Sequence, residues 1–301
     1  MSSLDEPFAE RFFAEQRPRL IGLGYRLLGS LTDAEDVVQE AWMRWSRADH
    51  AALQSPAAWL TTVVSRLGID RLRARQRDQA HYVGPWLPEP LVSFDDAPAA
   101  AAELSDSLTT AFLVMLERLT PDERLVLLLA DVFQQPFAAV ADVIGKSPDA
   151  TRQIAVRARR KVRTDQESRP PTRAEQLSVA NEFVTAIITG NEMRVRELLT
   201  PDAVLVSDGG ATRHAARRAV IGPDRIGRFL VNIGKRWNTV VGHDVTMQSG
   251  WVNGAPGIVI NVDAAPYWVA TMDVKQGRVD RVYTQLNPDK LGAIDRHVEL
   301  L

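Results

Sequence analysis

Apolar residues near the start of the chain recur every three or four positions, the spacing expected of amphipathic helices. One stripe comprises Leu20, Leu23, Leu27 and Leu28. A second follows Thr32-Asp33, which we predict as its N-cap, and comprises Ala34, Val37, Val38, Ala41, Trp42 and Trp45. A third helix is predicted over 55–77, where Ser55-Pro56 suits the N-cap and first helical position. Its predicted buried positions are Leu60, Val64, Leu67 and Leu72.

The middle of the chain also has a helical pattern. One apolar stripe comprises Leu108, Phe112, Met115, Leu116 and Leu119. Thr120, followed three residues later by Glu123, has the sequence of a capping box that opens the next helix. Residues 136–162 then have the pattern of a helix, a short turn at Gly145 and a second helix. This order predicts a helix-turn-helix.

The second helix of this pair is predicted to have two distinct faces. Ser147-Pro148 opens it, and its buried face would comprise Thr151, Ile154, Ala158 and Val162. The outward face would comprise Asp149, Arg152, Gln153, Val156, Arg157 and Arg160. A recognition helix has this division, because one face packs on the first helix while outward residues reach base edges. The alternative is an Arg-rich, solvated surface helix without a ligand.

The last part of the chain changes from helix to strand. Helices are predicted over 173–189 and 191–199, and five strand-like runs follow between residues 204 and 286. Asn253-Gly254 and Gln276-Gly277 separate neighbouring runs and suit hairpin turns. Helices followed by an antiparallel sheet predict an α+β domain.

Composition limits the class of protein. Of 301 residues, 45% are hydrophobic and 25% charged, as in globular proteins. The chain has no cysteine, which excludes disulfides and cysteine-ligated metal and fits a reducing compartment. No run approaches the roughly 20 apolar residues needed to cross a bilayer, and the start is too polar for a signal peptide. We therefore expect a soluble cytoplasmic protein that does not engage a membrane.

Charge and linkers together favour two separate DNA contacts. The net charge is only −2, so DNA binding must depend on local basic clusters. Residues 66–77 hold five arginines and one acid, which forms a second basic helix besides 147–163. Residues 84–102 contain four prolines and an alanine run, and residues 164–172 are polar with a Pro-Pro pair. Both segments have the composition of linkers, and the first joins the two basic helices.

Three segments resemble, in order, parts of the extracytoplasmic-function sigma factors of the sigma-70 family. Residues 33–45 resemble region 2.2, residues 58–77 resemble regions 2.3–2.4, and residues 116–162 resemble region 4. The resemblance implies a transcription initiation factor with a region 2 domain at 1–83 and a region 4 helix-turn-helix domain at 106–164. The implied partners are promoter DNA and core RNA polymerase, through its β′ clamp helices and β flap.

The resemblance also implies roles for individual residues. Those facing the polymerase would be Asp36, Gln39, Glu40 and Arg44. Those melting and reading the −10 element would be Trp59, Arg66, Arg71, Arg73 and Arg75. Those reading the −35 element would be Ser147, Asp149, Arg152, Gln153, Arg157 and Arg160. Asp70 is expected to pair with a neighbouring arginine, and Trp42 is expected to lie in the core.

Two short motifs resemble those of the subgroup that carries a fused C-terminal SnoaL-like domain. The first is Trp86-Leu87-Pro88-Glu89-Pro90, within a linker at 84–105, and the second is Asn287-Pro288-Asp289-Lys290-Leu291. Asp208-Gly209-Gly210 keeps the first three positions of an Asp-Gly-Gly-Gly-Lys motif, which departs at Ala211 and Thr212. The resemblance implies a regulatory α+β domain with a cystatin-like cone over 173–301. That domain would replace a separate anti-sigma factor and dock on the linker.

Two other classes of function are left open by the sequence. One is a helix-turn-helix regulator whose C-terminal domain senses a small molecule. The other is a SnoaL-like enzyme, for which the candidate acids and bases are His214, His243, Asp244, Asp263 and Asp273. His243 and Asp244 are adjacent and would point to opposite faces of a strand. No catalytic constellation emerges, so we expect no enzyme activity, no cofactor and no metal.

Overall fold

The computed structural model describes residues 6–78, 82–94, 107–162, 171–237, 244–292 and 294. The chain divides into two compact units. Of the described residues, 6–78 and 113–162 form the helical unit, and 82–94, 107–112, 171–237, 244–292 and 294 form the α+β unit. The two segments expected as separate helical domains thus lie in one unit. The described linker residues 82–94 belong to the α+β unit.

The first half of the helical unit consists of α1 (Glu6–Leu28), α2 (Leu31–Trp45), a 3-10 turn (His50–Ala52) and α3 (Pro56–Asp78). Gly29 has a φ of 66°, which ends α1 and turns the chain into α2. Ser30 then accepts a hydrogen bond from the Asp33 amide. The predicted cap at Thr32-Asp33 is therefore wrong, because the left-handed glycine brings Ser30 into the capping position.

An aromatic cluster fills the core between these helices. The indole of Trp45 is fully buried and donates to the Ala9 carbonyl over 2.9 Å. Its ring lies 5.6 Å from that of Phe12 and 5.8 Å from that of Trp59. Trp42 is half-buried with its ring 5.0 Å from that of Phe13, which agrees with its predicted place in the core.

The second half of the helical unit contains the predicted helix-turn-helix. It follows α4 (Thr110–Leu116) and comprises α5 (Pro121–Leu127), a π-helical turn (Leu128–Val132), α6 (Phe137–Ile144) and α7 (Pro148–Val162). The predicted capping box of Thr120 and Glu123 is present, and Gly145 ends α6 with a φ of 67°. The buried face of α7 comprises Thr151, Ile154, Ala155 and Ala158. Val162 is only half-buried, because α7 ends there.

The α+β unit contains α8 (Arg173–Ile188), α9 (Glu192–Glu197), α10 (Pro223–Trp237) and α11 (Pro288–Leu291). Its sheet has the order β1-β4-β5-β6-β7-β2-β3. The strands are β1 (Val92–Ser93), β2 (Leu199–Asp208), β3 (Val220–Ile221), β4 (Val245–Val252), β5 (Ala255–Val262), β6 (Ala265–Lys275) and β7 (Arg278–Gln285).

The sheet is mixed rather than antiparallel throughout. Hairpins join β4 to β7 in succession, and Asn253-Gly254 and Gln276-Gly277 turn with positive φ as predicted. However, β2 pairs with β7 in parallel. The expectation of a fully antiparallel sheet is corrected here, because β3 and α10 connect β2 to the hairpins and no tight turn fixes its direction. Helix α10 itself is absent from the sequence predictions.

The two faces of the sheet are packed against different elements. On one face α8, α9 and α10 pack over a core that includes Phe183, Val195, Leu230, Met272 and Val282. On the other face a smaller cluster comprises Val252, Val259, Val269, Leu291 and Ile294, with Val92 of the linker strand β1 packed against it. The linker is therefore part of the hydrophobic core of the α+β unit.

Gly257 in β5 provides a test of the packing between β5 and its neighbours. A Cβ atom there would lie 2.5 Å from the Ala270 carbonyl oxygen and 2.5 Å from a methyl carbon of Val252. We expect Gly257→Ala to lower the free energy of unfolding of the α+β unit by about 1–3 kcal/mol, because both neighbours are buried. Denaturant unfolding followed by circular dichroism would measure it. Gly292→Ala, where a Cβ meets no atom within 4 Å, is the matched control and should leave stability unchanged.

Candidate functional site

Helix α7 presents an exposed polar face. The side chains predicted to contact the −35 element are all exposed: Ser147, Asp149, Arg152, Gln153, Arg157 and Arg160. Ser147 also caps the helix, since its hydroxyl accepts from the Ala150 amide over 3.2 Å. Arg152 pairs with Asp149 at 2.5 Å, and its guanidinium lies 5.9 Å from the ring centroid of Phe137. This face is free of cover within the described helical unit.

The arginines of α3 have a different environment. Arg66 donates to the Asp142 carbonyl over 2.9 Å and to the Val143 carbonyl over 3.4 Å. Arg73 pairs with Asp122 at 2.8 Å. It also pairs with Asp70 at 3.3 Å, which agrees with the prediction that Asp70 pairs with a neighbouring arginine. Arg75 pairs with Glu117 at 3.0 Å. Three of the four arginines predicted to contact the −10 element therefore bind residues of the second half of the helical unit.

A cluster of charges, in which Arg124 is buried and Arg75 and Glu117 are half-buried, lies where the two halves of the helical unit meet. Arg124 is 1% exposed, ion-pairs with Glu117, and donates to the Arg26 carbonyl over 3.0 Å. Arg75 donates to the Leu28 carbonyl. Both carbonyls are in the last turn of α1, so two guanidinium groups bind the negative end of the helix dipole. We call Arg75, Glu117 and Arg124 the arginine–glutamate cluster.

Burial and charge act in opposite directions in this cluster. Burial alone would raise the pKa of Glu117, but the nearby charges of Arg124 and Arg75 outweigh it and hold the pKa below its usual value. Burial lowers the pKa of Arg124, and the charge of Glu117 counteracts this effect. Burial also lowers the pKa of Arg26 to about 10. Glu117 is therefore ionised at neutral pH, with Arg75 and Arg124 as its counter-ions.

The predicted polymerase-binding residues lie along one face of α2. Asp36, Gln39 and Arg44 are exposed and Glu40 is half-buried. Glu40 pairs with Arg44 at 2.6 Å, and Asp36 pairs with Arg71 at 2.9 Å. Arg71 also pairs with Asp33. A cavity of about 360 Å³ beside this face is lined by Phe13, Asp36, Gln39 and Trp42 among others. The ring of Trp59 is half-buried against Trp45, so only part of it is available for stacking.

In the α+β unit, a buried carboxylate connects the three short motifs. Asp208 is completely buried at the end of β2. One of its oxygens accepts from the Tyr82 hydroxyl over 2.6 Å and from the Gly210 amide over 3.0 Å. The other accepts from the Leu87 amide over 2.9 Å and from Lys290 over 2.7 Å. We call these residues, with Trp86, Gln285 and Asn287, the linker-docking cluster.

Lys290 completes this cluster from the C-terminal side. Its ammonium group donates to the Leu87 carbonyl over 2.7 Å and lies 4.1 Å from the centroid of the Trp86 ring. Gln285 donates to the Pro88 carbonyl over 3.3 Å, and Asn287 donates to the Tyr82 hydroxyl over 3.1 Å. Burial, followed by the hydrogen bond to Asp208, raises the pKa of Tyr82. Gln285, Asn287 and Lys290 thus bind both main-chain and side-chain groups of the linker.

The two glycines after Asp208 allow the chain to approach this cluster closely. A Cβ atom on Gly209 would lie 2.5 Å from the Arg213 carbonyl oxygen. Gly210 has a φ of 58°, and a Cβ atom there would lie 2.6 Å from the Asn287 side chain. Ala211 and Thr212, where the motif departs from the subgroup, are exposed on the following turn. The cation that contacts Asp208 comes instead from Lys290.

The other predicted residues of these motifs have supporting positions. Leu87, Pro88, Glu89 and Pro90 are buried, as is Leu291. Pro288 and Asp289 are exposed, and the Asp289 amide is bound by the Asn287 side chain that caps α11. The linker motif therefore docks on the α+β sheet through its apolar residues, while Pro288 and Asp289 shape the short helix that carries Lys290.

The candidate acids and bases of an enzyme are not brought together. His214, Asp244 and Asp263 are exposed, and His243 lies outside the described residues. Asp273 accepts a hydrogen bond from Tyr283 over 3.2 Å, and burial raises its pKa to about 6. Among the residues that the structure describes, no group of three or more acids and histidines could hold a metal ion. None of the described helices combines the length and apolar character needed to span a bilayer.

Sequence reasoning missed several residues of both clusters. No individual role was predicted for Tyr82, Gln285, Glu117 or Arg124, although Glu117 and Arg124 lie in the segment 116–162 that resembles region 4. Arg124 and Glu117 sit on an otherwise apolar helical pattern, and a charged residue at a buried helical position is the signal that marks them. Tyr82 lies in the linker before β1, Gln285 ends β7, and neither carries such a signal, because each contacts residues far away in the chain.

Comparison with known proteins places these features in a family context. Residues 12–78 match the family described as Sigma-70 region 2, and residues 109–162 match that described as Sigma-70, region 4. Over 288 residues the chain is 38% identical to the ECF RNA polymerase sigma factor SigJ of Mycobacterium tuberculosis, covering 92% of this chain and 91% of that protein. It is 29% identical over 280 residues to the probable ECF RNA polymerase sigma factor SigI of the same species, covering 91% and 92%.

A solved structure extends this likeness to the whole fold. The crystal structure of M. tuberculosis SigJ matches with a TM-score of 0.77 and 36% identity, over 95% of this chain and 99% of that one. The predicted fold class, two all-α regions followed by an α+β SnoaL-like domain, is thereby confirmed.

Removing the charge of Lys290 tests the linker-docking cluster. We expect Lys290→Met to destabilise the α+β unit by about 3–5 kcal/mol, because it leaves the Asp208 carboxylate buried without its counter-ion. Release of the linker should also increase chymotryptic cleavage after Tyr82 and Trp86. Unfolding curves and limited proteolysis measure the two effects. Lys275→Met, an exposed lysine at the end of β6, is the matched control. Equal stability of the two variants would contradict the role of Lys290.

Proposed function

Because this chain belongs to the extracytoplasmic-function sigma factors of the sigma-70 family, and is thus a transcription initiation factor, we propose how its parts divide the work. Regions 2 and 4 bind core RNA polymerase and promoter DNA, and the α+β unit controls them through the linker. The observation that carries this proposal is the exposed polar face of α7 inside the segment that matches Sigma-70, region 4. A protein acting on the bacterial chromosome works in the cytoplasm, which is where we place this chain.

The proposed contacts with polymerase and DNA follow from exposure and charge. Asp36, Gln39, Glu40 and Arg44 form a mixed-charge helix face that suits the β′ clamp helices. Arg152 and Gln153 carry the donors that make bidentate bonds with guanine and adenine, while Arg157 and Arg160 suit phosphates. Arg66, Arg71, Arg73, Arg75 and Trp59 would engage the −10 element. We propose residues 1–83 and 106–164 as the two functional domains.

The proposed role of the α+β unit is regulatory and not enzymatic. The chain that joins region 2 to region 4 passes through the linker-docking cluster, so the unit holds their tether at residues 82–94. Holding the tether sets which separations of the two regions are accessible. Its candidate acids and bases form no catalytic arrangement among the described residues. On this proposal no separate anti-sigma factor is required.

A small-molecule sensor is the second candidate for this unit. A cavity of about 220 Å³ lies between α8 and the sheet, lined by Leu177, Val184, Trp251, Ile258 and Met272 among others. An apolar cavity beside the linker residue Phe94, which also lines it, would allow a ligand to influence the linker.

Two substitutions should separate polymerase binding from promoter reading. We expect Asp36→Ala to weaken binding to core RNA polymerase several-fold while sparing DNA preference. We expect Arg152→Ala to relax preference at one base position of the −35 element by about 1–3 kcal/mol while sparing polymerase binding. Polymerase pull-down and run-off transcription on genomic DNA with sequencing of the transcripts measure both effects. Glu182→Ala, an exposed acid of the α+β unit, is the control. Equal loss of both activities in either variant would contradict the assignment.

Truncation after Thr172 tests the role of the α+β unit. Since the tether loses its docking site, we expect the truncated chain to accept a wider range of spacers between the −10 and −35 elements than the full chain. Run-off transcription with core RNA polymerase on promoters whose spacers differ by single base pairs measures this range. An identical spacer profile for the two proteins would refute the regulatory proposal.

A further inference from the structure

We propose that the α+β unit binds a small aromatic carboxylic acid in the cavity between α8 and the sheet. The carboxylate of this ligand would bind Arg173, and its ring would lie against Trp251 and Phe94. The cavity shares no residue with the linker-docking cluster. The inference deepens the sensor role of the α+β unit, and its regulatory consequence rests on the proposed function, because Phe94 belongs to the linker.

The cavity has the size and the lining of a site for one apolar ring. Its volume is about 220 Å³, which is below the roughly 300–1,000 Å³ typical of ligand pockets. An apolar cavity of about 150 Å³ holds one benzene ring, so the remaining volume admits a short substituent. Apolar side chains from three elements form the walls: Leu177 and Val184 of α8, Ile258 of β5 and Met272 of β6. The cavity therefore selects a ligand with a single ring and a short chain.

Arg173 supplies a cation beside this cavity. It is the first residue of α8 after the Thr172 cap and lies about one helical turn before Leu177, so both side chains lie on the same helix face. Its guanidinium carbon lies 3.5 Å from the centroid of the Trp251 ring, which also lines the cavity. Among the described residues, this guanidinium thus has a ring and not a carboxylate as its neighbour. The first turn of a helix is unfavourable for a cation, because it is the positive end of the helix dipole, so helix stability does not account for an arginine here.

The chemistry of this guanidinium favours a carboxylate as its ligand. A guanidinium stacked on a ring can still bind through its N–H groups, because they point outward in its own plane. A carboxylate matches that edge with two parallel hydrogen bonds. Asn181 and Ser249 add an amide and a hydroxyl to the cavity wall, where they can bind a polar group on the ring. An aromatic monocarboxylate therefore satisfies both the apolar walls and the single positive charge of Arg173.

The linker forms one wall of the cavity through Phe94, whose side chain is 47% exposed. The linker lies directly on β4 at this point. A Cβ atom on Gly250 would lie 2.7 Å from the Ser93 carbonyl oxygen and 3.1 Å from the Phe94 ring. A ring bound in the cavity would cover Phe94 and stabilise the docked linker, because a ligand that contacts only the docked state favours that state. On the proposed function, the concentration of the acid would then determine how firmly the tether between region 2 and region 4 is held.

Paired acids and amides test the site in the full chain. The probes are benzoate, phenylacetate and 3-phenylpropionate, each compared with its neutral amide in calorimetric titrations. We expect at least one acid to bind about tenfold more tightly than its amide, since the amide lacks the charge-assisted hydrogen bonds to Arg173. Arg173→Met should remove this preference and leave binding of the amide unchanged. Arg225→Met, which changes an exposed arginine of α10, is the matched control and should keep the preference.

A second pair of variants tests the cavity and its effect on the linker. Ser249→Leu adds an apolar side chain to the cavity wall and should weaken binding of acid and amide alike by about tenfold, because the side chain clashes with the ring. Gln248→Leu places the same side chain on the opposite face of β4 and should leave binding unchanged. Saturating acid should slow chymotryptic cleavage after Phe94 about threefold in the unsubstituted chain, because it favours the docked linker. Ser249→Leu should lose this protection and Gln248→Leu should keep it.

The outcomes distinguish this inference from the proposed function. Absence of binding by all three acids up to about 5 mM, or equal affinity for each acid and its amide, would overturn the site. A preference for the acid that survives Arg173→Met would also overturn it, with Arg173→Gln in its place if the first variant loses helical circular dichroism. Binding without protection of Phe94 would overturn the effect on the linker. Run-off transcription by the unsubstituted chain with core RNA polymerase is measured in parallel without acid, and its failure would refute the proposed function while leaving the titrations intact.

Discussion

The arrangement of the α+β unit depends on one buried carboxylate. The carboxylate of Asp208 accepts five hydrogen bonds: two come from the linker, one from its own turn, one from Lys290 and one from Gln285. A carboxylate that is buried from solvent is tolerated only when its oxygens accept enough hydrogen bonds. Loss of any one donor would leave the buried carboxylate short of a hydrogen bond, and this cost holds each donor in place. The motifs at residues 86–90, 208–210 and 287–291, which are far apart in sequence, therefore form a single hydrogen-bonded cluster.

The helical unit uses charge in the opposite way. In the linker-docking cluster the ion pair lies beside apolar residues such as Leu87 and Leu291, so its separation would expose hydrophobic surface as well as charge. Between the two halves of the helical unit, several contacts are made by guanidinium groups on carboxylates and helix-end carbonyls. The first kind of interface is suited to permanent attachment, and the second to an exchange of partners.

Most helices and turns of the fold were predictable from the sequence, because the residues that determine them are close together in the chain. Capping residues at Thr120 and Ser147 and the hairpin turns at Asn253 and Gln276 each act within four residues. The parallel pairing of β2 with β7 was not, since no tight turn determines it. The functional sites, too, were predictable only where they depend on residues close together in the chain. The exposed face of α7 follows from its periodicity, but the pairing of Arg66, Arg73 and Arg75 depends on residues more than forty positions away.

Docking of the linker also has a consequence for the time at which regulation begins during synthesis. Leu87 and Lys290 are separated by 203 positions, and both halves of the helical unit are complete before Lys290 is made. At about 5–20 residues per second, a ribosome needs roughly 10–40 s to cover that interval. From the completion of α7 at Val162 onwards, the nascent chain carries both DNA-reading helices while its linker still lacks Lys290. On the regulatory role proposed for the α+β unit, every new molecule therefore passes through an interval without that control.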